Sequence, residues 1–287
     1  MARIKNQGNI SRIGVVFSSG FFGFFSHAGF LSALRAKGII PSGCSGASSG
    51  AIIAAMAASK MEDPEIKEIL FNLKKSDFWD PDPVLTIFKK ALRLFRGYNG
   101  YLMGNKFADL LKNMPYKRIQ DCPTPLVVAV TNLTLQREEC FSKGSLVKAI
   151  QASGAMPMLF KPVKIGGNLY VDGGIVNKAP VQALADLIEP KKIIVHLIAS
   201  DNLSKNGSVN GFLDKRFTPW HVHCLAINIA RQEAYRRQCD TLKQRGIEII
   251  EVKTGAPSVG PDSLDKGPLA YNKSRETALR ILSSKGF

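Results

Sequence analysis

The chain contains no run of about 18 uninterrupted apolar residues, so no membrane-spanning helix is expected and any membrane contact must be peripheral. Cysteine is sparse: Cys44, Cys122, Cys140, Cys224 and Cys239 are odd in number, widely spaced and free of any C-x-x-C pair. That argues against a disulfide framework or a zinc site and suits a reducing, cytoplasmic compartment. No ligand cluster of suitable spacing appears, so neither a metal nor a cofactor is expected. Phosphate-binding signatures are also missing, for there is no G-x-G-x-x-G, and Gly50 is not followed by Lys and Ser or Thr as a P-loop requires. The N-terminal Met1-Ala2-Arg3-Ile4-Lys5-Asn6-Gln7 carries charge, but no apolar stretch follows it before Ser11. A secretory signal peptide is therefore not expected, and export by a route without one stays open. Acidic residues are in deficit, 23 Asp and Glu against 39 Lys and Arg, for a net charge of +16. Such an excess favours phosphate-bearing partners, anionic lipid or nucleic acid, although a basic surface can also serve solubility alone. No helix-turn-helix, zinc-finger or RRM signature accompanies the charge, and no nucleic-acid partner is expected.

What remains is a chain of 287 residues, 45% hydrophobic, large enough to bury a substantial core and read as one domain over 1–287. Ile13-Gly14-Val15-Val16-Phe17 reads as a buried strand running into a turn at Ser18-Ser19-Gly20. Further strands are expected at 126–131, 138–141, 169–171, 192–199 and 247–252. Helices are expected at 26–37, 51–58, 64–74, 84–96, 106–113, 145–153, 180–188, 219–244 and 269–284. The polar, glycine-containing stretch 200–216 reads as an exposed loop. This alternation predicts an α/β fold of three layers, a mostly parallel central sheet covered by helices on both faces.

Gly46-Ala47-Ser48-Ser49-Gly50 fits G-x-S-x-G between a short strand and a small-residue helix, the context that gives the pattern chemical meaning. A nucleophile on a tight strand-to-helix turn has a strained backbone, so its neighbours must be small, and its hydroxyl sits where a helix N-terminus favours developing negative charge. A structural glycine turn is the competing reading. Ser45 and Ser49 are nearby hydroxyls, but only Ser48 has a glycine two residues away on each side. A serine needs a proton acceptor, and none of the four histidines is convincing: His27 falls in a helix turn, His196 inside an apolar strand, and His221 and His223 at one helix start. Val171-Asp172-Gly173-Gly174 instead puts a carboxylate at a strand end beside two glycines; an Asp capping a turn is the plainer alternative.

Ser48 in Gly46-Ala47-Ser48-Ser49-Gly50-Ala51, together with Asp172 in Asp172-Gly173-Gly174, resembles the Ser-Asp dyad of patatin-like phospholipases. Ala152-Ser153-Gly154-Ala155-Met156-Pro157, Phe160-Lys161-Pro162-Val163, Leu169 to Asn177 and Pro180-Val181 follow in that family's order and spacing. The resemblance implies the patatin-like fold and a lipid acyl hydrolase of phospholipase A or lysophospholipase type. Ser48 would be nucleophile, Asp172 base, Gly46 and Gly50 the elbow glycines, and Gly173 and Gly174 the glycines of the Asp loop. Such a base should be partly desolvated, because an exposed aspartate near pH 4 is a weak one. The family's oxyanion turn is glycine-rich and carries a basic residue. Here Ser18-Ser19-Gly20-Phe21-Phe22-Gly23-Phe24-Phe25 has few glycines and no Lys or Arg. The N–H groups of Gly20, Phe21 and Phe22 are the expected donors, provided that the backbone keeps its shape. The departure leaves a second function open, a catalytically weak or inactive lipid-binding protein. The four phenylalanines of the turn could line an acyl-chain pocket or be buried core.

Over 84–96, apolar Val84, Leu85, Phe88, Leu92 and Phe95 oppose Lys89, Lys90, Arg93 and Arg96. This basic amphipathic helix suits either an anionic membrane surface or ordinary packing on the sheet with a solvated face. Expected partners are thus a phospholipid or other acyl-ester substrate and an anionic membrane surface. The sequence leaves head group, acyl position and any activating protein unspecified.

Overall fold

The computed structural model describes residues 12–83, 85–86, 92, 99–198 and 219–287, apart from the side chains of 219–221, 223 and 224. The amphipathic segment 84–96, the loop 200–216 and the side chains of His221 and His223 therefore lie outside what is described or largely so.

β1 (Ile13–Phe17) leads through a turn into α1 (Phe24–Ala36), and β2 (Gly43–Ala47) leads directly into α2 (Ser49–Ala58). α3 (Asp63–Phe71), β3 (Gly100–Leu102) and α4 (Asn105–Leu111) precede β4 (Leu126–Asn132) and β5 (Arg137–Phe141). Then come α5 (Leu146–Ser153), β6 (Met158–Phe160), β7 (Val163–Ile165), β8 (Asn168–Asp172) and α6 (Val181–Ile188). β9 (Lys192–Ile198), α7 (Pro219–Gln244), β10 (Glu248–Thr254) and α8 (Gly267–Ser284) complete the order.

The main sheet runs β10-β9-β1-β2-β4-β8-β7, with β5 also paired to β4; β3 and β6 form a separate two-stranded ladder. The five strands from β10 to β4 are mutually parallel, as expected of apolar runs buried on both faces. β5, β8 and β7 pair antiparallel, so one side of the sheet is mixed. For β7 against β8, link length is the reason. β7 and β8 are joined only by Gly166-Gly167, at φ +54° and +88°, a two-residue hairpin turn too short for a parallel crossover.

Alternate residues of the strands feed two cores. Val15 and Phe17 of β1, with Ile194 of β9, face α1, α2, α3, α5 and α8. Val16, with Ile193, Val195 and Leu197, faces α6 and α7 through Leu184, Tyr235 and Leu242. The result is the expected three-layer α/β arrangement, helix on sheet on helix.

Candidate active site

β2 is wholly buried and ends at Ala47, which pairs with Ala129 of β4. Ser48 follows at φ 55°, ψ −127°, and α2 starts at the next residue. That backbone is unfavourable for a residue with a side chain, at a cost of about 1–3 kcal/mol, and the surroundings must hold it. They do so through close approach. A Cβ at Gly46 would lie 2.4 Å from the carbonyl oxygen of Gly50, and one at Gly50 would lie 2.4 Å from that of Phe17. The Ser48 N–H donates to Ser153 Oγ at 2.9 Å, and Ser153 donates onward to the Ala129 carbonyl at 2.7 Å. Of the other local hydroxyls, Ser45 donates to the Pro180 carbonyl, and buried Ser49 Oγ has no partner among the described residues.

Asp172 ends β8 and pairs with Val130, the β4 residue after the partner of Ala47. One stretch of β4 thus brings together two residues 124 positions apart, and Ser48 Oγ donates to Asp172 Oδ2 at 2.6 Å. The other carboxylate oxygen accepts the Gly174 N–H at 2.7 Å. Thr131 Oγ1 donates to the Asp172 carbonyl at 2.8 Å, and the Asp172 N–H donates to Ala155 O at 3.0 Å. Gly173 lies so close to β4 that a Cβ there would sit 2.1 Å from the Ala129 carbonyl. Burial pushes the Asp172 carboxyl up to about 6, opposed by the bonds from Ser48 and Gly174 and by the charge of Arg231.

The turn after β1 passes beside this pair. Ser18 and Ser19 N–H groups donate to the carbonyls of His196 and Lys178, and Gly23 N–H closes the turn onto Gly20. Among the described residues no acceptor takes the N–H of Gly20, Phe21 or Phe22. Phe22 adopts φ +50°, the left-handed region where glycine is usual. Its ring packs against Phe21, Phe24 and Phe78 at centroid distances of 4.9, 5.5 and 5.5 Å. The four phenylalanines divide: Phe21, Phe22 and Phe24 line a cavity, and Phe25 is in the core.

That cavity measures about 470 Å³. Ser48 and Asp172 line it beside mostly apolar neighbours, among them Ile52, Met56, Phe107 and Met114. Its lining includes exposed apolar residues at the rim, among them Phe21 at 55% and Met158 at 67%. Among the described residues no group of three His, Cys, Asp or Glu is disposed to hold a metal ion.

The histidines read as structural are so in the two cases described. His27 and His196 are fully buried, their Nδ1 atoms 2.7 Å apart. His27 Nε2 bonds the Ser18 carbonyl and His196 Nε2 the Thr254 hydroxyl, each at 2.8 Å. Burial pushes His27 down to about 3, and His196 is also held well below its ordinary range. Both rings are neutral, and their network ends under the turn rather than at Ser48.

Three contributors were not legible as such in the sequence. Ser153 stood inside a motif without a role, and nothing in the chain pointed to Thr131. Arg231 of α7 lines the cavity and donates to Ser19 Oγ at 3.1 Å and to the Gly174 carbonyl at 3.0 Å.

Known proteins resemble this chain in sequence and in fold. An uncharacterised NTE family protein of Mycobacterium tuberculosis is 26% identical over 202 residues, 70% of this chain and 53% of that protein. The lysophospholipase NTE1 of Cryptococcus neoformans var. neoformans is 27% identical over 228 residues, 77% of this chain and 14% of its own length. The chain thus spans about half the length of the mycobacterial relative and far less of the fungal one. Among solved structures, VipD from Legionella pneumophila superposes with a TM-score of 0.54 at 17% identity, over 96% of this chain and 67% of that one, a likeness of fold. The family model for patatin-like phospholipase matches residues 15–185, which include the Ser48 elbow, the turn after β1 and the Asp172 loop, and the chain belongs to that family.

Proposed function

We propose that this chain is a lipid acyl hydrolase that cleaves carboxylic esters of phospholipid or another acyl lipid through a Ser48–Asp172 dyad. The observation that carries the reading is the 2.6 Å bond from Ser48 Oγ to a buried carboxylate, made from a strained strand-to-helix turn at the wall of an apolar cavity. Asp172, ionised at neutral pH yet more basic than an exposed carboxylate, accepts the Ser48 proton as Oγ attacks the ester carbonyl. The tetrahedral oxyanion is met by the N–H groups of Gly20, Phe21 and Phe22, which have no acceptor among the described residues, and by the N-terminus of α2. The alcohol leaves with the proton from Asp172. Water, deprotonated by the same carboxylate, then releases the fatty acid from Ser48. The reading needs no metal.

The cavity suits an acyl chain, and its exposed apolar rim together with the net charge of +16 suits an anionic bilayer surface. No helix among the described residues is long and apolar enough to cross a membrane. A lipid-binding protein without turnover is the second reading, motivated by the glycine-poor turn. The deciding experiment is fluorophosphonate labelling of wild type, Ser48→Ala and Asp172→Asn, with fatty-acid release measured from mixed anionic phospholipid vesicles. Labelling and release by wild type alone are expected. A folded wild type that binds vesicles but neither labels nor releases fatty acid, with or without cell lysate as a source of activator, would establish lipid binding instead.

A further inference from the structure

The two halves of the proposed site come from separate turns, and their relative placement decides whether an oxyanion formed at Ser48 meets its donors. Ser19 immediately precedes the Gly20–Phe22 donors, and Gly174 holds Asp172 Oδ1 through its N–H. The turns are in direct contact: a Cβ at Gly174 would lie 2.4 Å from Ser19 Cβ. Contact alone does not lock two turns in register, and the Ser18–Phe25 turn carries no cation of its own. One side chain bonds both. Arg231 Nη1 donates to Ser19 Oγ at 3.1 Å and to the Gly174 carbonyl at 3.0 Å.

The guanidinium is itself fixed. Its Nε and Nη2 donate to Asn228 Oδ1, one helical turn earlier, at 3.0 and 2.9 Å. Tyr235, Cys239 and Leu242 continue the same face of α7 into the core at helical spacing, so the base of the side chain is anchored to the sheet. We propose that Arg231 is a positioning residue that clasps the turn after β1 to the Asp172 loop, holding the N–H donors and the base in register across the cavity. This rests on the dyad reading of the site.

The clasp also brings a positive charge to the buried carboxylate and favours its ionised form. The guanidinium also acts on Lys178, which burial first and that charge second push down to about 8. Charge and geometry can therefore be separated by substitution. The experiment measures kcat and KM for a nitrophenyl acyl ester, and the fluorophosphonate labelling rate, from pH 5 to 9 for wild type, Arg231→Met, Arg231→Lys and Ser19→Ala. Arg231→Met is expected to lower kcat about 10²-fold, the cost of roughly 1 Å of misplacement, with KM little changed and the acid limb moved to higher pH. Arg231→Lys should return the acid limb to its wild-type position while recovering kcat only in part. Ser19→Ala keeps the charge and loses one contact, so about a tenfold loss in kcat with an unmoved acid limb is expected; it carries the test should Arg231→Met fail to fold.

A wild-type kcat and acid limb in Arg231→Met would overturn the proposal. So would a loss of activity and thermal stability with the acid limb unmoved, because that is a packing defect. A wild type that itself neither labels nor hydrolyses overturns the dyad reading and the clasp with it.

Discussion

Replacing Asp172 by Asn should abolish turnover and stabilise the fold, and the second effect can be sized from the buried carboxyl. Burial raises Asp172 from its ordinary 3.8 to about 6. At about 1.36 kcal/mol per pH unit, the ionised native side chain disfavours folding by about 3 kcal/mol relative to its protonated form. The folded value lies above the unfolded one, so the native state binds more protons between pH 4 and 6, and stability from this group falls as pH rises through that window. Asn mimics the neutral acid: its Oδ1 still accepts from Gly174, and its Nδ2 takes the place of Oδ2 facing Ser48 Oγ. Asp172→Asn should therefore exceed wild type by up to about 3 kcal/mol at pH 8, a rise in Tm of at most about 6–12 °C for a chain near this size. The excess should vanish towards pH 4. Calorimetry of both proteins at pH 4, 5, 6, 7 and 8 measures it, and taking the difference between variants cancels the titration of every other group. A variant less stable than wild type at pH 8, or a difference that ignores pH, would refute the claim that an ionised carboxylate is buried beside Ser48.

Ser153→Ala leaves both the Ser48 N–H and the Ala129 carbonyl without their buried partner, so a loss of about 2–4 kcal/mol in denaturant melts and slower fluorophosphonate labelling are expected. Wild-type values for both would remove Ser153 from the support of the elbow. Met56→Trp fills part of the cavity; hydrolysis of long-chain relative to short-chain esters should fall about tenfold or more, with the small fluorophosphonate still reacting. An unchanged chain-length profile would place the acyl chain elsewhere. His27 and His196 are depressed from 6.5, so the unfolded state binds the extra protons and stability should fall below pH 6.5, by up to about 2.7 kcal/mol per pH unit for two sites. Guanidinium melts of Asp172→Asn between pH 6.5 and 5 read this directly; about half that slope would mean that one ring is charged, and a flat profile that both are.

The parts of the fold legible in the sequence are those with a local cause. β1, β4 and β9 are near-continuous apolar runs, and α7 is found over its full expected span. β3, β6 and β7 are missing from that reading because three residues carry no measurable period. The antiparallel β7–β8 pair was hidden for a related reason, since it depends on Gly166-Gly167 acting as a hairpin between two strands, one of which goes unread. At the site, Ser48 and Asp172 are visible because close packing demands glycine beside each of them. Arg231 is not, because the seating of α7 on the sheet, through Tyr235 and Leu242, decides which of its polar residues reaches the cavity. The pairing of His27 with His196 across 169 positions is likewise a product of tertiary packing.

The turn after β1 is where sequence and structure pull hardest against each other. A donor turn is expected to use glycine because it needs backbone shapes that side chains resist, and this turn has phenylalanine instead. The conflict is resolved at Phe22, which takes the left-handed conformation at a cost of about 1–2 kcal/mol. Its ring makes three aromatic contacts, each worth about 0.5–1.5 kcal/mol beyond burial, enough to offset that cost. Glycine would relieve the strain and lose the ring. Phenylalanine keeps the turn and also supplies a wall of the cavity, so one residue shapes both the proposed donors and the space for an acyl chain. A glycine-poor turn is therefore no argument for a collapsed one. The lipid-binding alternative then has to rest on a measured lack of turnover, because the N–H groups of Gly20, Phe21 and Phe22 have no acceptor among the described residues.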